Sequence, residues 1–330
     1  VQPQVAAAPI EKKIAAAPSL KVERSEALAM MLSSSLHSGH KSLRTTQYVQ
    51  VPETFSIIRA PKDALKAIYA TCDAAVGDRI KNLILDHSKV KFIDLAAEAL
   101  LDRMALDVIK DFSRRRRRIA PRGTLPIDRK LNTFLRSIGI IESLDIKNLK
   151  LSPDEEKTVK VFKKESKHAQ KLLRIDLSDY KESILIKLDK YLNECLNEHG
   201  WKLTGKARAE FARYTGEILG NAEDHSGTDD WTVVGYLDKT DDTHWCELAI
   251  FNFGKSFART FNELPTDSLP IKAVTPYIDN HESRGFFGPK WKRDDLVMVA
   301  ALQGMISSKN INEKDTRGRG TVDLITFFQR

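Results

Sequence analysis

A short string at residues 217–225, Glu-Ile-Leu-Gly-Asn-Ala-Glu-Asp-His, carries the side chains best suited to chemistry in this sequence. Glu217, Asn221 and His225 are spaced by four, so on a helix they share one face. An Asn oxygen is a hard ligand that a small divalent cation accepts beside phosphate and water, and a neighbouring Glu can orient or deprotonate a water. The string predicts one wall of a magnesium–nucleotide site, and a solvated helix face is the alternative.

Two later segments that contain glycine are also suited to a nucleotide. Asn252-Phe-Gly-Lys-Ser ends a predicted strand, and a glycine there lets the backbone approach a flat ring or a phosphate. Asp315-Thr-Arg-Gly-Arg-Gly leads into Thr321 and an apolar run. Glycines that open a helix leave N–H groups and the positive end of the dipole to an anion, and Arg317 and Arg319 add charged donors. A tight turn or a helix cap is the alternative for each segment.

The elements predicted to position these residues are two helices, a hairpin and a long charged connection. They are a helix from Ser178 to Gly200, a helix from Thr204 through residue 225, strands at 231–237 and 244–252, and a charged stretch at 255–315 with a short helix at 294–303. Phe211, Tyr214, Ile218 and Ala222 form the apolar face of the second helix. Trp231, Trp245 and Trp291 are predicted to pack in the core or under a lid.

The first half of the chain has a different organisation. Residues 1–45 are predicted to be a flexible, Ala- and Pro-rich arm followed by a helix. Residues 46–151 alternate strand and helix, as in a small α/β domain. Residues 152–177 are charged and are predicted to form a helical connector, which leaves 178–330 as the second domain.

Arg114 to Arg118 form a run of five arginines. The run indicates either a solvated edge or a patch that contacts the phosphates of nucleic acid. No aromatic residue is interleaved with the arginines, so backbone contacts to a duplex suit the run better than stacking on a single strand.

Composition limits the classes of protein that the chain can belong to. Its 330 residues and 42% hydrophobic content suit two folded domains. No apolar run approaches the roughly 20 residues needed to cross a bilayer, so we expect a cytoplasmic protein without a membrane partner. Cys72, Cys195 and Cys246 are far apart and form no Cys-x-x-Cys pair. They are therefore predicted to be buried thiols that form neither a disulfide framework nor a zinc site.

Residues 83–94 (Leu-Ile-Leu-Asp-His-Ser-Lys-Val-Lys-Phe-Ile-Asp), followed by Leu95-Ala-Ala-Glu-Ala-Leu-Leu, resemble the central strand, turn and helix of STAS domains, the anti-sigma-antagonist fold. A helix at 131–139 would be the last one of that fold. The resemblance covers about a third of the chain. Phosphorylatable members carry Ser or Thr after the Asp, and Leu95 stands there in this sequence, which argues against a phosphorylation switch at that position.

Residues 178–330 resemble the GHKL ATPase superfamily, whose Bergerat fold is an α/β sandwich with a mixed sheet covered by helices on one face. The Glu217-to-His225 string looks like the Asn box, and Asn252-x-Gly254 sits where the family's Asp-x-Gly-x-Gly contacts adenine. Residues 304–309 and 317–320 look like the lid and the last glycine box. Asn252 replaces the family's Asp and Ser256 replaces its second Gly. The resemblance also implies further sheet strands beyond residue 330.

The resemblance implies that the cofactors are ATP and Mg2+, that Glu217 is the catalytic base and that Asn221 holds the metal. The residues it assigns to the cofactor are Asn221, His225, Asn252, Gly254, Lys255, Ser308, Lys309, Arg317, Gly318, Arg319, Gly320 and Thr321. The implied function is a regulatory ATPase in which nucleotide-driven lid closure controls a protein partner, with a homodimer as the expected assembly. A partner-switching serine/threonine kinase and a non-catalytic module that binds nucleotide or nucleic acid are the alternatives.

Overall fold

The computed structural model describes residues 5–6, 24–33, 44–77, 79–144, 146–166, 177–225, 230–240, 245–282 and 291–301. The chain divides into two compact units. The first unit comprises Val1–Lys164 and Thr232–Phe251, and the second comprises Glu165–Trp231 and Asn252–Arg330. Residues 152–164 and 232–251 thus group with the first unit, although the sequence placed them in the connector and the second domain.

Helices and strands alternate, and both parallel and antiparallel strand pairs occur, so the predicted mixed α/β class is confirmed. The helices are α1 Glu26–Ser33, α2 Pro61–Cys72, α3 Leu95–Arg114, α4 Arg129–Ser137, α5 Ile140–Ser143, α6 Pro153–Thr158, α7 Leu177–Asn197, α8 Gly205–His225, α9 Phe257–Asn262, α10 Leu269–Glu282 and α11 Arg293–Ala301. The strands are β1 Val5–Ala6, β2 Thr46–Gln50, β3 Thr54–Phe55, β4 Asn82–Asp86, β5 Phe92–Ile93, β6 Ala120–Thr124, β7 Val159–Glu165, β8 Trp231–Asp238 and β9 Cys246–Asn252.

A sheet of order β1-β6-β4-β2 forms the centre of the first unit. Strands β2, β4 and β6 are parallel, whereas β1 is antiparallel to β6. Leu83 and Leu85 alternate with less buried residues along β4 and pack into the core. Val5–Ala6, which the sequence assigned to a flexible arm, pairs with β6, and residues 7–23 of that arm lie outside the described residues.

Helix α3 packs against α2 and has a well-defined start. The carboxylate of Asp94 accepts a 2.7 Å hydrogen bond from the backbone N–H of Ala97, which caps the helix. The helix buries Leu101, Met104 and Val108 along one side. The predicted helix after Asp94 is therefore confirmed.

The predicted helical connector is wrong for most of its described length. Within its described residues 152–166, only Pro153–Thr158 is helical, with Ser152 and Glu155 forming a capping box. Residues Val159–Glu165 form β7, which lies beside β8 in a separate sheet of order β7-β8-β9. The charges favoured a helix locally, but the β-branched and aromatic side chains of this segment suit a strand that has a partner. Residues 167–176 lie outside the described part of the chain.

In the second unit, α7 and α8 pack against each other. A Cβ atom added at Gly216 would lie 3.4 Å from Cδ1 of Leu185, so the glycine permits a close approach of the two helices. Helix α8 buries Phe211, Tyr214 and Ala222 as predicted, together with Leu219 in place of Ile218.

The stretch at 255–315 contains more helix than the sequence predicted. Helices α9 and α10 precede α11, which matches the predicted short helix, and the three share a core built around Phe261, Ile278 and Leu296. Pro276 inside α10 masked the helical pattern in the sequence. Across the described residues, no helix combines the length and the apolar character needed to span a bilayer.

Candidate functional site

Glu217, Asn221 and His225 lie on α8, so the predicted helix is confirmed. Glu217 is exposed and Asn221 is half-buried, one helical turn further along the same face. The side chain of His225 lies outside the described part of the structure. The helix thus presents one carboxylate and one amide together at the border between solvent and the buried side of α8.

Glu223, two residues after Asn221, lies on a different side of the helix. Two partners hold its carboxylate there. Its Oε2 atom accepts a 2.9 Å hydrogen bond from Nζ of Lys181 on α7, and its Oε1 atom accepts a 3.0 Å bond from the indole Nε1 of Trp231. Gly220 lies beside this ion pair, because a Cβ atom there would be 3.8 Å from the same Lys181 nitrogen. Both carboxylate oxygens are therefore in use, and the last turn of α8 is held to α7 and to the start of β8.

Trp231 is fixed by several contacts, as its 1% exposure indicates. Its backbone N–H donates to Oγ of Ser166 at 2.7 Å, and its carbonyl accepts from the N–H of Ser166 at 2.8 Å. The Tyr180 ring lies 6.2 Å away, centre to centre, and its hydroxyl donates to the carbonyl of Glu165. Burial and then the charge of Glu165 raise the pKa of Tyr180. The predicted packing role of Trp231 is confirmed.

The same prediction is wrong for the other two tryptophans. Trp245 and Trp291 are 64% and 56% exposed. Trp245 precedes β9, and its indole N–H donates a 2.8 Å hydrogen bond to Glu247 on that strand.

The Asn252-x-Gly254 segment begins at the last residue of β9 and lies beside Trp231. The N–H of buried Phe253 donates a 3.3 Å hydrogen bond to the carbonyl of Asp230, the residue before Trp231. Asn252 is exposed and Gly254 is half-buried. The pair Asp230–Trp231 therefore anchors both segments: the Asn-x-Gly segment through Phe253, and the Glu-x-x-x-Asn helix through Glu223.

Lys255 and Ser256 have structural partners of their own. Lys255 pairs with Glu263, which Arg259 also contacts at 3.0 Å. Hydrogen bonds from Lys255 and then Arg259 lower the pKa of Glu263. Ser256, which stands where the family has a second glycine, caps α9 by accepting from the N–H of Arg259 at 3.2 Å. A phosphate bound by Lys255 would therefore compete with Glu263.

The remaining predicted cofactor residues lie outside the described residues of the structure. They are Ser308, Lys309, Arg317, Gly318, Arg319, Gly320 and Thr321. The phosphate-binding side of the predicted site stays a prediction.

Sequence reasoning missed Lys181 and Glu223, which join α7 to α8. They are separated by 42 positions in the chain, and no local spacing rule connects residues so far apart. Glu223 is part of the 217–225 string, but it does not lie on the helix face that the four-residue spacing of Glu217, Asn221 and His225 defines.

Comparison with protein-family models, with curated proteins and with solved structures finds no match to this chain. The STAS-like and GHKL-like resemblances stay predictions.

Proposed function

We propose that the second unit binds ATP with magnesium and that this nucleotide controls the interaction of the chain with a protein partner in the cytoplasm. The observation that supports the proposal is the common anchor at Asp230–Trp231, which joins Glu223 of α8 to Phe253. Two segments that are far apart in sequence, and that independently suit a nucleotide, are thereby tied to one place in the unit.

The donor set fits a magnesium nucleotide. Asn221 offers an amide oxygen of the hard type that magnesium accepts, and its half-buried position leaves it accessible. Glu217 is exposed one turn before it and can accept a proton from a water. Magnesium, when bound, neutralises phosphate charge and orients the triphosphate.

In this proposal, residues at the end of β9 contact the adenine. The exposed Asn252 amide both donates and accepts hydrogen bonds, so it can meet an exocyclic amine or a ring nitrogen. Gly254 lets the backbone approach the base. Because Asn252 carries no charge, we expect weaker discrimination between purines than an aspartate would provide.

Calorimetric titration of the full chain with ATP, with and without magnesium, tests the proposal. We expect magnesium-dependent binding that Asn221→Ala abolishes and that Asn197→Ala, an exposed Asn at the end of α7, leaves unchanged. Absence of magnesium-dependent binding by the parent protein would overturn the proposal. Binding that survives Asn221→Ala would remove this residue from the metal site.

A protein kinase is the second candidate, because exposed Glu217 is as accessible to a protein hydroxyl as to water. Incubation with labelled ATP and candidate protein substrates separates the two activities. Phosphate release without labelled protein indicates an ATPase, whereas transfer of label indicates the kinase. Nucleotide binding without either product indicates a non-catalytic module.

A further inference from the structure

The five arginines that begin at the last residue of α3 alternate between two environments. Arg115 donates to the carbonyl of Ala75 at 3.3 Å and forms a 2.7 Å ion pair with Asp111. Arg117 lies over the ring of Phe112, 4.8 Å from its centre. These two arginines are half-buried and hold the loop in place. The other three are exposed, namely Arg114, Arg116 and Arg118.

Arg116 occupies a backbone conformation that favours glycine. The N–H of Arg116 bonds to the carbonyl of Ser113 at 3.0 Å and that of Arg117 to the carbonyl of Phe112 at 2.8 Å, which is the Schellman pattern of helix termination. The residue in the left-handed position is Arg116, with φ of 56°. Glycine is the usual residue there, since a side chain costs about 1 kcal/mol or more. A charged side chain at a strained position points to a use for that side chain.

Further cations lie beside residues 114–118, the arginine loop, at the edge of the sheet where the parallel strands begin. The N–H of Lys81 bonds to the carbonyl of Thr45 at 2.7 Å, and the N–H of Ala120 bonds to the carbonyl of Lys81 at 2.8 Å. The starts of β2, β4 and β6 are thereby adjacent. We call the exposed cations of this region the basic edge: Arg44, Arg79, Lys81, Arg114, Arg116 and Arg118.

Stabilisation of the α3 terminus does not account for the basic edge. The negative end of a helix dipole favours cations within the last turn only, and Arg44, Arg79 and Lys81 belong to other segments. The acid next to the loop, Asp111, is 1% exposed and is covered by Arg24 and Arg115. Burial lowers the pKa of Arg24, and repulsion from Arg115 lowers it further.

We propose that the basic edge binds the phosphate backbone of a nucleic-acid duplex without reading its sequence. Arginine guanidinium groups match phosphate oxygens in bidentate geometry, and all but one of these cations are arginines. Neighbouring strands are about 4.8 Å apart, so cations at the starts of β2, β4 and β6 span roughly 10 Å. That span is about the axial length of three nucleotides on one strand. Residues 113–119 contain no aromatic ring on which a single strand could stack.

Fluorescence anisotropy of the full chain with a labelled duplex of mixed sequence tests the proposal over a range of salt concentrations. We expect affinity to fall steeply with salt. The triple variant R114S/R116S/R118S should weaken binding at low salt at least tenfold and lower the slope of log K against log salt by about three, roughly one per arginine. The matched control K62S/K89S/K91S removes three exposed lysines of the same unit and should leave the slope unchanged.

Arg116→Gly separates binding from folding. Glycine relieves the left-handed backbone, so the melting temperature should rise while the salt slope falls by about one. Equal binding by the parent and the triple variant, or equal loss in the lysine control, would overturn the proposal. So would tighter binding to a single strand, to polyglutamate or to anionic vesicles than to the duplex.

Discussion

The indole Nε1 of Trp231 donates a 3.0 Å hydrogen bond to Oε1 of Glu223. This bond joins the first residue of β8 to the last turn of α8, and it is partly shielded from water because Trp231 is buried. Lys181 completes the coordination of the carboxylate from α7. The three side chains determine where Asn221, two residues before Glu223, is held relative to the start of β8.

Removal of the Glu223 carboxylate should therefore destabilise the protein. Glu223→Ala leaves a buried indole N–H and a lysine without their acceptor, and we expect a loss of about 2 kcal/mol in the free energy of unfolding. Urea denaturation followed by circular dichroism measures this loss. Glu182→Ala, at an exposed acid on α7, should change stability by less than about 0.5 kcal/mol. If the loss of stability in Glu223→Ala is as small as that in Glu182→Ala, the bond to Trp231 contributes nothing to stability.

Glu217→Gln should separate nucleotide binding from turnover. The amide keeps the size of the side chain but cannot accept a proton, so we expect ATP affinity within about twofold of the parent and hydrolysis at least about 100-fold slower. Calorimetry and a phosphate-release assay measure the two quantities on the same preparation. Glu182→Gln serves as the control. Unchanged hydrolysis in Glu217→Gln would exclude this carboxylate as the base.

Local patterns predicted the elements that carry the site. The apolar spacing of Phe211, Tyr214 and Ala222 predicted α8, and Asp94 predicted the start of α3, because caps and helical faces depend on residues within a few positions. Glycine at the left-handed end of α7, Gly200 with φ of 70°, ended the helix where expected.

Long-range partners explain what the sequence did not predict. Val159–Glu165 became a strand because β8 lies beside it, and β8 is far away in the chain. The anchor at Asp230–Trp231 likewise depends on Ser166, Glu223 and Phe253, which no periodicity connects. Sequence patterns can thus indicate which side chains suit a nucleotide, but the contacts that assemble them are tertiary.

Cysteine reactivity should distinguish the exposed thiol from the buried ones. Cys72 and Cys195 are buried as predicted, whereas Cys246 is exposed, which corrects that prediction. Burial and then the charge of Asp73 raise the pKa of Cys72 to about 12, so its thiolate is scarce at neutral pH. We expect iodoacetamide to modify Cys246 alone in the native protein and all three in urea, as read by peptide mass spectrometry. Modification of Cys72 before unfolding would contradict its burial.

The pH dependence of stability should carry the signature of Asp102, which lies 1% exposed on α3 against Gly139. Burial and then the charge of Glu98 raise the pKa of Asp102 well above its ordinary value. The folded protein therefore retains a proton that the unfolded chain releases. This group's contribution to stability is full below its unfolded pKa and is lost as pH rises through the folded pKa.

Asp102→Asn removes this titration while keeping the shape of the side chain. We expect the variant to gain at least about 1 kcal/mol over the parent at pH 8, and little or nothing at pH 4. Urea unfolding at both pH values measures the difference, and Asp63→Asn, at an exposed acid of α2, should show no such gain. If the stability of the parent changes between pH 4 and pH 8 in the same way as that of Asp102→Asn, Asp102 is ionised in the folded state.

Gly139 has φ of 84°, and a Cβ atom there would lie 1.6 Å from Oδ2 of Asp102. In the same urea measurements, Gly139→Ala should therefore cost more than about 3 kcal/mol at either pH.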